Sequence, residues 1–149
     1  MPEGTVVSIH VAPGARGDGR PMASVNEARA VAGKGLEGDR YFGTSEDREI
    51  SLIEAEAIEA MERDAGLKLA PGDARRNIVT RGVALNDLAE KEFSVGAVRL
   101  RGMRLSEPCA HLAELTDQRV LQGLVHRGGL KAQIVTGGVI RVGDSVTDE

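Results

Sequence analysis

Glycine closes almost every apolar run in this chain, and the runs between glycines are short and rich in β-branched residues. Of 149 residues, 19 are glycine, about twice average usage, so many tight turns and bulges are expected. A parallel sheet needs a crossover, usually a helix, between strands. Here only one segment carries a strong helical pattern. Seven or eight short strands with one good helix and two short ones favour a barrel or sandwich over a doubly wound sheet. The expected class is mostly β within α+β, as a single domain over residues 1–149.

The order of elements can be read along the chain. Thr5 to Val11 is a β-branched strand. Pro13 to Gly19 is a turn-rich loop, Met22 to Ala32 a second strand, and Gly33 to Gly43 a glycine-rich loop. Glu49 to Ile53 reads as a strand running into a helix over about Glu54 to Ala65, with Ile58, Met61 and Ala65 on one face. Ser51 and Glu54 have capping-box spacing, unless the strand runs through Ser51 and delays the helix. Pro71 to Asp73 is a turn, Asn77 to Thr80 a strand, and Leu85 to Leu88 a single helical turn. Glu92 to Val95 and Ala97 to Leu105 form a hairpin around Gly96. Within its second arm Arg99 and Arg101 alternate with Val98 and Leu100, but Met103 and Leu105 share the arginines' parity. A β-bulge at Gly102 restores the pattern. Pro108 to Leu115 and Asp117 to Val125 read as short helices. Leu130 to Thr136 and Val139 to Val142 read as a closing hairpin around Gly137-Gly138. Gly143-Asp144 then turns into a last extended stretch.

Composition removes several function classes. A single cysteine, Cys109, excludes an intrachain disulfide framework. Three aromatics, Tyr41, Phe42 and Phe93, cannot build a stacking platform for single-stranded nucleic acid. A net charge of −4 also disfavours non-specific nucleic-acid binding. No apolar run approaches the length of a membrane span. The first residues lack the basic and apolar regions of a secretory signal, so a cytoplasmic location is expected. Arginine makes up 15 of the 19 basic residues; a high-GC genome produces the same excess, so most are read as compositional.

Four motifs bear on chemistry. Gly33-Lys34-Gly35-Leu36-Glu37-Gly38 matches G-x-G-x-x-G, but a dinucleotide fingerprint needs a helix opening there. Asp39-Arg40-Tyr41-Phe42-Gly43 has no helical period, so a shaped loop is expected. Cys109 with His10, His111 and His126 matches no zinc-site spacing; satisfied or exposed histidines are the default. Cys109 follows Glu107-Pro108 and precedes a helical pattern. Proline suits the first helical position, which places the thiol in a first turn, where the dipole favours thiolate. The alternative is a buried, inert cysteine. Finally, Arg75-Arg76-Asn77 with Arg81 offers guanidinium forks and an amide to an anionic ligand; the alternative is a solvated surface partly neutralised by Asp73 and Asp87.

Taken in order, these landmarks resemble the MOSC domain, the C-terminal module of molybdenum cofactor sulfurases. They are Gly35-Leu36-Glu37-Gly38-Asp39-Arg40, Arg48-Glu49-Ile50-Ser51-Leu52, Pro71 to Ile78, Thr80-Arg81-Gly82, Glu107-Pro108-Cys109, Arg127-Gly128-Gly129, Gly137-Gly138-Val139-Ile140 and Gly143-Asp144. The resemblance implies a MOSC-like β-barrel with a few peripheral helices. It implies a role around the molybdenum cofactor (molybdopterin), with Cys109 as persulfide carrier or molybdenum ligand. Arg76, Asn77 and Arg81 match the region that relatives place near that cofactor, and Arg48 is a weaker candidate for the same role. Many relatives carry Glu where Arg76 stands. The resemblance also implies an alternative, a small oxidoreductase that reduces N-hydroxylated substrates at molybdenum. A further alternative is a scaffold that binds another small anionic ligand without metal. The chain has no desulfurase or iron–sulfur module of its own, so a cysteine desulfurase or an external reductase is the expected partner.

Overall fold

The computed structural model describes residues 3–12, 22–39, 42–43, 49–65, 76–105 and 129–148. Eleven strands fall in this order: β1 (Glu3–Val11), β2 (Ala23–Val25), β3 (Glu27–Val31), β4 (Gly35–Leu36), β5 (Ile50–Glu54), β6 (Ile78–Arg81), β7 (Glu92–Val95), β8 (Val98–Leu105), β9 (Leu130–Thr136), β10 (Gly138–Arg141) and β11 (Ser145–Thr147). One α-helix, α1 (Ala55–Ala65), follows β5, and a 3-10 turn spans Leu85–Leu88.

Seven strands close into a barrel in the order β11-β7-β8-β9-β5-β6-β1, sealed by pairing of β1 with β11. All barrel contacts are antiparallel except β5 with β6, which are parallel. Strand β2 adds to the outer edge of β1. Strands β10, β3 and β4 form a second, three-stranded sheet. Closure removes the exposed edges that short, glycine-broken strands otherwise present. The mostly β barrel expected from the strand spacing is therefore the observed architecture.

The interior is aliphatic. Ile9, Ile50, Leu52, Ile78, Leu100 and Leu130 are fully buried, and Phe93 is the one aromatic among them. The alternation of β8 puts Val98 and Leu100 inside and Arg99 and Arg101 outside. The bulge falls where parity predicted: pairing with β9 shifts between Gly102 and Arg104, which returns Leu105 to the inner side. Gly102 is required there for a second reason. A Cβ on it would lie 2.1 Å from the carbonyl oxygen of Leu88, where the 3-10 turn tucks Leu85 and Leu88 into the core.

Three expectations change. Leu130–Thr136 and β10 do not form a hairpin. Strand β9 pairs with β8 along its length and with β5 over Leu130–Ala132, while the chain turns at Gly137 and β10 pairs with β3 instead. The second strand is two: the chain bends at Asn26, leaving β2 on the barrel and β3 on the other sheet. No capping box forms, because the strand runs through Ser51 to Glu54 and the helix begins at Ala55. Helix α1 buries Ala57, Ile58 and Ala60 and packs on β5 and β6. The turn at Pro71 and the two short helices expected after Pro108 lie outside the described residues.

Candidate functional site

Parallel pairing of β5 with β6 brings their N-terminal ends together, and antiparallel pairing of β6 with β1 brings the C-terminal end of β1 beside them. Four buried polar residues meet in this region: His10, Asp39, Glu49 and Asn77. This is the polar end of the barrel.

Asn77 is its hub. Its Oδ1 accepts hydrogen bonds from the Ser51 backbone N–H at 3.1 Å and the Ser51 hydroxyl at 3.2 Å. Its Nδ2 donates to the His10 carbonyl at 3.0 Å and to Asp39 Oδ1 at 3.4 Å. The Asn77 backbone N–H in turn donates to Ser51 Oγ at 3.1 Å, and its carbonyl accepts from the His10 N–H at 2.7 Å. One amide therefore ties β1, β5 and the glycine-rich turn to the start of β6. An amide has two donors and two acceptor sites, and the protein itself uses all four.

Two carboxylates fasten the glycine-rich turns to the barrel. Asp39 Oδ1 also accepts from the Ala12 N–H at 2.7 Å. Glu49 Oε1 accepts from the Gly33 N–H at 3.1 Å and the Ile134 N–H at 3.0 Å, which links the turn after β3 to β9. Gly35, inside the G-x-G-x-x-G match, has φ +121°, and a Cβ there would lie 2.8 Å from the Glu49 carbonyl oxygen. Its glycines serve a close approach of turn to strand; the segment continues into turns with no helix through Asp39. Asp39 and Glu49 stood only as letters in the family landmarks. Glu49 directly precedes the buried Ile50, whereas nothing local to Gly38-Asp39-Arg40 marks Asp39.

His10 is buried on β1 between two hydroxyls, with Ser8 Oγ 2.8 Å from Nε2 and Ser24 Oγ 3.2 Å from Nδ1. Burial lowers its pKa below the ordinary histidine value and favours the neutral ring. It is a satisfied structural histidine, as the spacing suggested.

The predicted cation cluster divides. Arg76, half-buried, immediately precedes Asn77 at the polar end. Arg81 stands five residues further along, at the end of β6, roughly 16 Å from Arg76 at strand rise. There it forms a two-pronged ion pair with Glu59 of α1, Nη1 to Oε1 at 3.2 Å and Nη2 to Oε2 at 2.5 Å. Hydrogen bonding from Arg81, with its charge, lowers the Glu59 pKa, and Glu59 raises that of Arg81. The structure thus sets Arg76 and Arg81 apart, at the two ends of this stretch of chain. Arg48, Arg75, Cys109, His111 and His126 lie outside the described residues.

The opposite, helix end holds a cleft of about 320 Å³, walled among the described residues by Glu54, Glu56, Ala57, Ala60, Arg63, Asn86 and Gly129. Glu54 Oε2 accepts from the Leu85 N–H at 3.2 Å and Glu56 Oε2 from the Gly82 N–H at 2.8 Å. These bonds hold the segment after β6 against the helix. Gly129 is where the chain re-enters the described structure after Cys109, and the preceding described residue, Leu105, pairs nearby with Leu130. No group of three or more His, Cys, Asp or Glu side chains able to hold a metal occurs among the described residues. No helix among them is long and apolar enough to cross a membrane.

The fold has solved counterparts. The YuaD protein of Bacillus subtilis superposes with a TM-score of 0.84 at 15% identity, covering 97% of this chain and 94% of that one. YiiM of Geobacillus stearothermophilus gives 0.79 at 17% identity, over 97% of this chain and 74% of the other. YiiM of Escherichia coli gives 0.70 at 20% identity, over 99% and 69%. No curated protein sequence matches. The MOSC domain family model matches residues 34–147, which takes in all the barrel strands except β1 and reaches both ends described above. The chain belongs to the MOSC domain family, which is associated with binding of the molybdenum cofactor.

Proposed function

We propose that this protein is a molybdenum cofactor-binding or sulfur-carrier domain whose working group is Cys109, held either as a persulfide or as a ligand to molybdenum. The observation that carries the reading is the family match over residues 34–147, which contains the chain's one cysteine. The segment bearing that cysteine rejoins the barrel at Gly129, on the wall of the helix-end cleft.

The donor chemistry fits a metal that arrives on an organic cofactor. A cofactor that carries its own ligands to the metal needs no multidentate protein site, and none occurs among the described residues. A single thiolate is the soft donor that completes it. When bound, the group supplies a redox-active metal centre. Arg76 stands at the polar end, opposite that cleft, and carries its positive charge there. Asn77 supports Arg76 through the backbone it locks, since its amide is already engaged. Arg81 contributes through α1, by holding Glu59.

The test is metal and persulfide content in protein from a molybdenum-replete, cofactor-producing host, for wild type and Cys109→Ser. Stoichiometric molybdenum that disappears in the variant supports ligation. No metal, but a Cys109-dependent persulfide after incubation with a cysteine desulfurase, supports the carrier. Neither signal, together with slow alkylation of Cys109, overturns both. Reduction of a hydroxylamine-type substrate by the metal form with an added reductase would move the assignment from carrier to oxidoreductase.

A further inference from the structure

We propose that Ser8 is a nucleophile with His10 as its general base, forming a reactive site for small carboxylic esters that is independent of the role proposed for Cys109.

A bulge creates the site. Val6 faces the barrel core, so strict alternation would send Ser8 and His10 inward after it. Pairing of β1 with β6 instead shifts between Val6 and Ser8. The extra residue, Val7, turns Ile9 and Val11 into the core and puts Ser8 and His10 on the outer side. Re-aiming a side chain is a common use of bulges beside active sites. Strand β2 supplies the third member, because its register sets Ser24 directly opposite His10.

The three side chains line up as nucleophile, base and orienting group. Ser8 Oγ lies 2.8 Å from His10 Nε2, and Ser24 Oγ lies 3.2 Å from Nδ1. With its proton on Nδ1, the ring donates to Ser24 and accepts from the Ser8 hydroxyl, the relation of a base to its nucleophile. The two bonds that satisfy His10 within the fold are thus also the bonds that activate Ser8. Burial favours the neutral ring, the form that takes a proton. Ser24 stands where the better-known triads carry a carboxylate, which predicts acylation with slow turnover. His10 is buried, Ser8 is half-buried and Ser24 is exposed. Half-burial of Ser8 limits the acyl group to a small one. Val7, 37% exposed next to Ser8, offers that group an apolar neighbour.

In the step, Ser8 Oγ bonds to the acyl carbon and the ester C–O bond breaks. The Ser8 proton passes to His10 Nε2 and from there to the departing alcohol. Water then attacks the acyl-serine by the reverse path, which releases the acid and returns the proton to Ser8.

The test treats the full-length protein with p-nitrophenyl acetate and locates the acetyl group by peptide mass spectrometry. The adduct is expected on Ser8 and is lost in Ser8→Ala. Its rate should level off above about pH 6.5, where His10 is neutral, whereas unassisted reaction of a hydroxyl, amine or thiol keeps rising to about pH 9. His10→Gln should slow acylation at least about 100-fold. Ser24→Ala, at an exposed position, should slow it about fivefold, the worth of one hydrogen bond. Melting curves check each fold; if His10→Gln unfolds, Ser24→Ala and the wild-type pH profile decide. No adduct, or one only on Cys109 or on lysines, overturns the proposal. So does a Ser8 adduct whose rate keeps climbing with pH, or one that neither His10→Gln nor Ser24→Ala slows. None of these outcomes reads metal or persulfide, so the role of Cys109 stands or falls separately.

Discussion

Replacing Asn77 separates a ligand contact from a framework contact. In Asn77→Ala two buried backbone groups lose their side-chain partners: the Ser51 N–H at 3.1 Å and the His10 carbonyl at 3.0 Å. Ser51 Oγ can still accept from the Asn77 N–H, and the contact to Asp39 is long, at 3.4 Å, so neither adds much. A buried group stripped of its partner costs about 1–3 kcal/mol, so the pair costs about 2–6 kcal/mol of the ~5–15 kcal/mol typical of a domain. For a chain of this length each kcal/mol moves the melting midpoint by about 2–4 °C, which gives a fall of at least about 4 °C and at most about 24 °C. The assay is urea and thermal unfolding, with the urea slope unchanged if the native fold survives. Asn77→Asp sharpens it, because the new carboxylate turns an acceptor toward the His10 carbonyl and Asp39. That variant should be worse than Asn77→Ala at neutral pH. It should recover as the pH falls and the introduced carboxyl regains a proton to donate, since burial beside acceptors raises its folded-state pKa. An Asn77→Ala protein with the wild-type midpoint, but with lost cofactor or persulfide, would refute this reasoning and make Asn77 a ligand contact.

Three other outcomes follow from the same geometry. His10 has a lowered pKa in the folded state, so below its unfolded value the unfolded chain binds more protons. The stability it contributes is present above about pH 6.5 and is lost as pH falls through that value toward the folded pKa; denaturant titrations from pH 8 to 5 should show a slope that His10→Gln lacks. Thr80 is fully buried and its Oγ1 finds no hydrogen-bond partner among the described residues, so Thr80→Val should stabilise the protein by about 1 kcal/mol in urea unfolding. Gly102→Ala drives a Cβ to 2.1 Å from the Leu88 carbonyl oxygen and should cost at least about 2 kcal/mol; a neutral Gly102→Ala would show that the 3-10 turn is free to move.

The barrel was legible because inward and outward alternation survives in single strands. Val98, Leu100, the slip at Gly102 and Leu105 predict the bulge from parity alone. Partners are another matter. Nothing within Val139 to Val142 reveals that this strand pairs with β3, about 110 residues earlier in the chain. The site shows the same division. Asn77 was singled out for its amide and its arginine neighbours, a local signal that suits an anionic ligand. Its side-chain bonds come from Ser51, Asp39 and His10, at sequence separations of 26, 38 and 67. Asp39 and Glu49 were hidden for the same reason, because a buried carboxylate looks like a surface one until its backbone donors arrive from elsewhere. Arg81 matched the family motif, yet its fork is closed by Glu59, one turn into a helix whose facing direction a sequence does not give.

The single parallel pair explains why chemistry has two ends to occupy in this barrel. Antiparallel neighbours can be joined by tight turns, but β5 and β6 run the same way, so the chain must cross back between them. Helix α1 begins that return, which is why the one α-helix among the described residues sits where it does. The crossing has two consequences. At one end the N-termini of β5 and β6 converge beside β1, and backbone groups of β5, of the end of β1 and of β9 are satisfied there by Asn77, Asp39 and Glu49. That end is a rigid frame, and substitutions there should register first as lost stability. At the other end α1 packs on β5 and β6, and the space between its exposed side, Asn86 and Gly129 is the cleft. Substitutions on that wall, such as Arg63→Ala on the exposed helix surface, should leave the melting midpoint close to wild type and change cofactor or persulfide content instead. Equal losses of stability at both ends would mean that the cleft is packing space, and Cys109 would then have to act elsewhere.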